Sequence, residues 1–433
     1  MYLPSLSSYI TLENSQGTLD PLGMYSIADR LATLLAPDLR ERMKHPRYLT
    51  AIAVGAYVCS DFGEEDLAVD EISPPWQVYE WYITSALVKR FDKENSNQLL
   101  GLPSREKTTR AMRDGVPLSA IRYLKTPSVF GFHGVYRTLA KGINLTDDNH
   151  ISEFGIKLID IWEKEQGLDG FRVGLKGTNG YDLRNRLQDA VLKGMEIGAV
   201  AKPWSWEYNT RIAESLAPKS PGKKEASVLF ERLLEGNTPS RAELIRFIIS
   251  EKGQKVVASE SEKQLHSALL ANAVETKDLL LAIQAYENVC RLLYNAFYES
   301  LQWMSEHQSK ANTTQLAQVS SVKKACNDLP KAFSNADLKL EKFTEVFATF
   351  TQNFDQLRGS YSPSDWIKLL FEHHERVQKN KPPSGKASWV LEHTAGSYLL
   401  NSTQANGVKL TDEYVHQYRT FALQSFMKDL QKI

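Results

Sequence analysis

Apolar residues recur along most of this chain at the three- and four-residue spacing of an amphipathic helix. Asp20-Pro21 opens a segment in which Met24, Ile27, Leu31, Leu34 and Leu35 share one helical face, ended by Pro37. Tyr48, Ile52 and Ala56 continue in a second helix after Pro46. Ser73-Pro74-Pro75 sets up another, because Ser can cap a helix and Pro suits its first turn; Trp76, Tyr79, Ile83, Ala86 and Leu87 form its expected buried stripe. Farther on, Leu279, Ile283, Tyr286, Cys290, Leu293, Phe297, Leu301 and Met304 are separated by 4, 3, 4, 3, 4, 4 and 3 residues, an a/d seam on a long helix. Leu340, Phe343, Phe347, Phe350, Phe354 and Leu357 repeat the pattern at 3, 4, 3, 4 and 3. With a turn-like gap from Ser309 to Thr314 and Pro330 breaking or kinking the return arm, the two seams are expected to fold back as an antiparallel helical pair. A final helix is expected to carry Tyr414, Tyr418, Phe421, Phe426 and Leu430.

The stretch from Pro117 to Glu165 has a shape with function attached. Pro117 starts a helix with Leu118, Ile121 and Leu124 apolar, and Thr126-Pro127 makes a turn. Ser128 to Lys141 is a second helix with Val129, Phe132, Val135, Tyr136 and Leu139 on one face, and Gly142 stands where a left-handed C-terminal residue is wanted. Asn144 to Ile151 reads as strand, turn and strand around Asp147-Asp148-Asn149, and Ser152 caps a last helix with Phe154, Leu158, Ile161 and Trp162. Helix, turn, helix, hairpin, helix is the order of the winged-helix variant of the helix-turn-helix, whose second helix enters the major groove. Here that helix presents His133, Arg137 and Lys141. The acidic wing, Asp147 and Asp148, repels phosphate, and such modules also pair with proteins, so both uses stay open.

Lys plus Arg and Asp plus Glu are equal at 52 each, so any attraction to a polyanion must be local. Between Asp61 and Glu80 lie seven acidic residues and no basic one. From Arg105 to Lys141 the balance reverses: Arg105, Lys107, Arg110, Arg113, Arg122, Lys125, Arg137 and Lys141 face only Glu106 and Asp114, a net charge of +6. Arg172 and Lys176, in a loop punctuated by glycines from Gly167 to Gly180, and Arg184 on the helix after it add to the candidate surface, as does the Lys379 to Lys386 turn. Trp204 and Trp206 are candidates for stacking unpaired bases or, alternatively, for anchoring an interface.

At 42% hydrophobic and 24% charged, the composition is that of a soluble globular protein. Cys59, Cys290 and Cys326 have no CxxC partner and sit in apolar helical context, which predicts buried thiols in a reducing compartment rather than a disulfide framework. The longest apolar run, Leu49 to Cys59, is too short for a bilayer, and the N-terminal residues lack a secretory pattern, so a cytoplasmic protein is expected. Chemical motifs each lose a required residue. Gly385-Lys386-Ala387 lacks the first glycine and the hydroxyl of a Walker A loop. His374-Glu375 lacks the second histidine of HExxH, where Gln378 stands, and adjacent His373 and His374 point about 100° apart on a helix. Arg40 and His45 match the loose R-x4-H spacing of HEPN ribonucleases, a two-residue pattern of low specificity. No catalytic residue, metal or cofactor is expected.

Two stretches, DPLGMYSIADRLA followed by RERMKHPRYLTAIAV (within Asp20 to Val54) and HHERVQKNKPPSGKASW (His373 to Trp389), resemble uncharacterised bacterial proteins encoded in anti-phage defence islands beside helicases, nucleases or ATPases. The resemblance implies membership of a multi-protein defence complex with DNA as its ligand and carries over no catalytic residues.

The expected fold is mainly α: a helical N-terminal region (1–100), a winged-helix-like module (101–166), a glycine-rich connection and helix (167–220), a long antiparallel helical bundle (221–361) and a C-terminal helical segment (362–433). A polar break from Ala217 to Lys224 marks one boundary. The expected function is a non-enzymatic subunit that contacts duplex DNA, with a scaffold or adaptor for partner proteins and a HEPN-like ribonuclease as alternatives.

Overall fold

The computed structural model describes residues 20–63, 65–92, 97–147, 150–235, 238–258, 260–382, 384–401 and 409–433. It is mainly helical. In chain order the helices are α1 (Tyr25–Leu35), α2 (Tyr48–Val58), α3 (Pro75–Phe91), α4 (Arg105–Arg113), α5 (Pro127–Phe130), α6 (Phe132–Gly142), α7 (Glu153–Glu165), α8 (Asn179–Ile197), α9 (Asn209–Ser215), α10 (Lys223–Leu234) and α11 (Pro239–Ile249). They continue as α12 (Glu251–Val257), α13 (Glu262–Leu270), α14 (Lys277–Glu306), α15 (Thr313–Leu316), α16 (Ser320–Leu340), α17 (Thr344–Phe354), α18 (Pro363–Lys379) and α19 (Thr420–Asp429). Strands are few: β1 (Thr146–Asp147) pairs with β2 (His150–Ile151), and β3 (Lys310–Asn312), β4 (Val390–Thr394) and β5 (Ser397–Leu400) form an antiparallel sheet in the order β3-β5-β4. Two compact units divide the chain, Met1–Ala36 with Ser250–Tyr418, and Pro37–Ile249 with Arg419–Ile433. Among the described residues no helix is long and apolar enough to cross a membrane.

In the first unit the α14 seam is buried along its whole length, from Leu279 to Met304. Near one end of α14 the Ser321 amide donates to Glu299 at 2.8 Å, and near the other Lys342 pairs with Asp278 at 2.5 Å, so α16 runs along α14 in the opposite direction. Pro330 does not break α16, which passes through it. The second seam is not one helix: α16 stops at Leu340 and α17 restarts at Thr344, which leaves Phe343 and Phe347 half-buried while Val346 enters the core. The stretch from Ser309 to Thr314 is more than a turn, because Lys310–Asn312 is an edge strand paired to Ser397–Leu399. Tyr414 and Tyr418 precede the last helix, which begins only at Thr420 after Arg419 takes a left-handed conformation.

His373 and His374 tie the start of the described chain to α18. The His373 Nε2–H donates to the Leu22 carbonyl and the His374 Nδ1–H to the Pro21 carbonyl, both at 2.8 Å, while His374 Nε2 accepts the Trp389 amide at 3.0 Å. Both rings are buried, and burial pushes each imidazole down to about 4. The two stretches singled out in the sequence as a resemblance therefore touch each other here as a packed joint.

In the second unit α2 and α3 form the centre. The stripe expected on α3 is instead buried on every side, including Gln77, Glu80, Trp81, Tyr82, Thr84 and Ser85, because α2, α4, α8 and α9 all pack against it. Polar groups so enclosed need partners. Arg47 and Glu225 supply each other's: two guanidinium N–H groups reach the carboxylate at 3.1 Å, a third donates to the Ala217 carbonyl at 2.8 Å, and Thr50 donates to Glu225 at 2.7 Å. The Ala217 to Lys224 stretch, expected as a boundary, lies inside this unit, with the Lys224 and Glu225 amides donating to Glu165 at 2.8 and 2.9 Å.

Candidate nucleic-acid interface

Helix α4 buries only Thr108 and Ala111, so most of its surface is polar. Glu106 in its first turn and Arg110 and Arg113 in its last suit the helix dipole, and Gly115 ends the segment at φ +67. Ser104 does not cap it, having taken φ +59 with its hydroxyl unbonded to the helix. The helix expected from Pro117 to Leu124 is absent. The Leu118 carbonyl accepts the Val200 amide at 2.9 Å and Ser119 bridges to Ala199, so this backbone is tied to another segment and closes only a turn on itself, with the Arg122 and Tyr123 amides donating to the Ser119 carbonyl at 3.0 and 2.8 Å. Leu118 and Tyr123 are buried, while Ile121, read as an apolar helix position, is 92% exposed.

Tyr123 links α4 to α6. Lys107 Nζ donates to its carbonyl at 2.7 Å, its hydroxyl donates to Glu80 Oε2 at 3.1 Å, and Glu80 Oε1 accepts the His133 amide at 2.7 Å. Glu80 thus caps α6 from the buried helix α3. The expected continuous helix from Ser128 is broken between α5 and α6, where Gly131 takes an extended backbone; a Cβ there would stand 2.2 Å from Glu80 Oε2. Burial drives the Glu80 carboxyl up to about 8 against the pull of the His133, Tyr123 and Phe132 hydrogen bonds. Gly142 is not the left-handed residue at the end of α6. It is the last helical residue, where a Cβ would meet Asp38 Oδ2 at 2.2 Å, and Asn144 takes the positive φ instead.

The basic residues divide clearly. Arg110, Arg113 and Arg122 are exposed and make no side-chain hydrogen bond or ion pair among the described residues. Arg105 is half-buried and shares a shallow groove with Arg110, Arg113, Asp92 and Glu106. Lys125, Arg137 and Lys141 are exposed. His133 is half-buried, its ring stacked on Trp76 at 4.7 Å. A further basic segment, absent from the sequence-based selection, joins them: Lys44 and His45 donate their amides to Tyr136 of α6 at 3.1 and 3.3 Å, Thr138 donates to the Asp38 carbonyl at 3.0 Å, and Arg42 lies over Phe130. This brings Arg40, Arg42 and Lys44 beside α5 and α6; the run RERMK was its signal.

Several of the other expected contacts are paired within the protein. Arg172 pairs with Asp160, and Arg184 donates to the Arg172 carbonyl at 2.9 Å and lies over Tyr181. Lys176 is exposed in its loop. Trp204 donates to the Val116 carbonyl at 3.1 Å and Trp206 packs on Tyr82, both within the second unit. Lys379 pairs with Glu375 in the other unit. The hairpin expected around Asp147 is present as β1–β2, with Asp147 exposed; Asp148 and Asn149 lie outside the described residues.

Beside the N-terminus of α6, a cleft of about 210 Å³ is lined by Trp76, Tyr79, Phe132, His133, Glu80, Cys59 and His150. Its walls are aromatic, and its one carboxyl is held near neutrality. Burial also pushes the Cys59 thiol up to about 12, which keeps it from acting as a thiolate nucleophile at neutral pH. Of the three cysteines only Cys290 is buried; Cys59 and Cys326 are half-buried. His45 is 2% exposed and pairs with Asp429 at 2.6 Å, which leaves the Arg40 and His45 pattern without an accessible histidine. The chain matches no protein-family model, no curated protein and no solved structure.

Proposed function

We propose that α4, the turn after it, α6 and the Arg40 to Lys44 segment form a surface that binds the phosphates of duplex DNA, in the manner of a winged helix with α6 toward the major groove and the β1–β2 hairpin as wing. The observation that carries this reading is the set of exposed guanidinium groups of Arg110, Arg113 and Arg122, which form no ion pair among the described residues. Arginines that serve the fold in this chain, such as Arg47, Arg172 and Arg241, each have a carboxylate partner. The resemblance to defence-island proteins supports a role as a DNA-contacting subunit of a bacterial multi-protein complex. Six or more neutralised phosphates make affinity fall by roughly 10³ between low and moderate salt.

Fluorescence anisotropy with a labelled duplex, run as a salt series, tests this. Replacing Arg110, Arg113 and Arg122 together by Ala should weaken binding at every sequence and lower the salt slope by about 3. Absence of binding at low salt, or equal affinity in the triple variant, would sink the reading. A protein partner is the second reading, favoured by Ile121, whose 92% exposure amid these cations serves no phosphate. An unchanged duplex affinity in Ile121→Ala together with loss of a co-purifying protein would support it.

A further inference from the structure

The first unit contains a group of metal-ligating side chains that the DNA-binding reading does not use. Glu287 and Cys290 stand three residues apart on α14, so both face the same way, toward the segment that leads to Tyr418. That segment brings His416, and one ligand atom from each of the three residues lies within 4.8 Å of the others. Glu287 and Cys290 are buried and His416 is largely so.

We propose that Glu287, Cys290 and His416 form a zinc-binding site. The donor set of one thiolate, one imidazole and one carboxylate matches the borderline-soft character of Zn²⁺. Ligand atoms around a tetrahedral zinc stand about 3.3–3.6 Å apart, so from separations of at most 4.8 Å the sulfur has to close in, and the His416 Nδ1 to Glu287 Oε1 contact, which measures 2.8 Å, has to open. In the metal-free state a proton occupies that contact, in the place where the cation goes. Binding moves the ring proton of the neutral imidazole from Nδ1 to Nε2 and releases the Cys290 thiol proton to solvent, so that Glu287, the thiolate and the dication sum to zero charge in a buried place.

The carboxylate is already aimed. Tyr418 donates its hydroxyl to Glu287 Oε1 and the Val415 amide donates to Oε2, both at 2.6 Å, the outer-shell support that fixes a metal-binding carboxylate. A cavity of about 270 Å³ touches Glu287 past Gln284, Arg291 and Tyr414, the side from which a fourth ligand would approach.

The test is Co²⁺ uptake by the full chain, read as thiolate-to-cobalt charge transfer and d–d absorption, with zinc competing the signal away. The Cys59→Ser/Cys326→Ser double variant, which changes only half-buried cysteines, keeps Cys290 as its sole thiol. The expected result is one equivalent of cobalt with a thiolate band in both proteins, and at least roughly 10-fold weaker uptake in His416→Ala. A thiolate band missing from the wild-type chain or from the double variant, or undiminished affinity in His416→Ala, overturns the proposal.

Discussion

Glu80→Gln probes the junction on which the proposed DNA surface is built. In the folded chain the Glu80 carboxyl is lifted from 4.5 to about 8 because burial outweighs its three hydrogen bonds. A carboxyl whose folded pKa is raised stabilises the fold fully below its unfolded pKa, and that contribution disappears as pH rises through the folded value. At 1.36 kcal/mol per pH unit, the whole window from 4.5 to about 8 is worth about 5 kcal/mol, and the part between about pH 5.5 and about pH 7.5 is worth about 3 kcal/mol. The Tyr123 hydroxyl donates to the Glu80 carboxylate; once Glu80 is protonated that hydroxyl can turn to accept from Oε2 while Oε1 keeps the His133 amide, and glutamine offers the same arrangement with an N–H in place of the O–H. Urea denaturation of both proteins across this pH range isolates the effect, since every other titrating group is common to the two. The wild-type midpoint should fall relative to Glu80→Gln by on the order of 1–2 M as pH rises. Parallel pH profiles would refute the reasoning, because they would show that Glu80 binds no extra proton on folding.

Arg47→Ala strands the Glu225 carboxylate in the core and should cost about 3–5 kcal/mol, seen as a lower denaturation midpoint, while Arg47→Met with Glu225→Leu should recover most of it. A loss below about 1 kcal/mol would mean that water reaches Glu225. His373 and His374 titrate with the opposite sign to Glu80: their folded values near 4 lie below the usual 6.5, so their contribution is present above 6.5 and lost as pH falls toward 4. Each is worth about 3 kcal/mol over that window. Hydrogen exchange should show the 21–24 segment released on acidification ahead of α2 and α3, and protection unchanged down to about pH 4.5 would contradict it.

Local signals alone were enough for the α14 seam, whose eight apolar positions are all buried, and for the Ser152 cap, whose hydroxyl accepts the Gly155 amide at 3.1 Å. Both depend on residues within one or two helical turns. The same signals misread Leu118, Ile121 and Leu124, because the spacing of three apolar residues does not say where their backbone carbonyls will find donors. The Val200 amide, far along the chain, took the Leu118 carbonyl and the helix did not form. Phe343 and Phe347 kept the seam period across a break at 341–343, since periodicity continues on paper where a helix stops.

The sequence by itself determined the helical class and the block of positive charge from Arg105 to Lys141. Tertiary structure decided which of the cations find partners: Arg172 and Arg184 were claimed by groups brought close by folding, and Arg110, Arg113 and Arg122 form no ion pair among the described residues. It also turned Glu80 from one member of an acidic run into a buried cap on α6, and assembled Glu287, Cys290 and His416 from positions up to 129 residues apart. The reason is the range of the forces involved. Helix periodicity and capping act within a few residues, whereas ion pairing and desolvation depend on which side chains the core brings within a few ångströms.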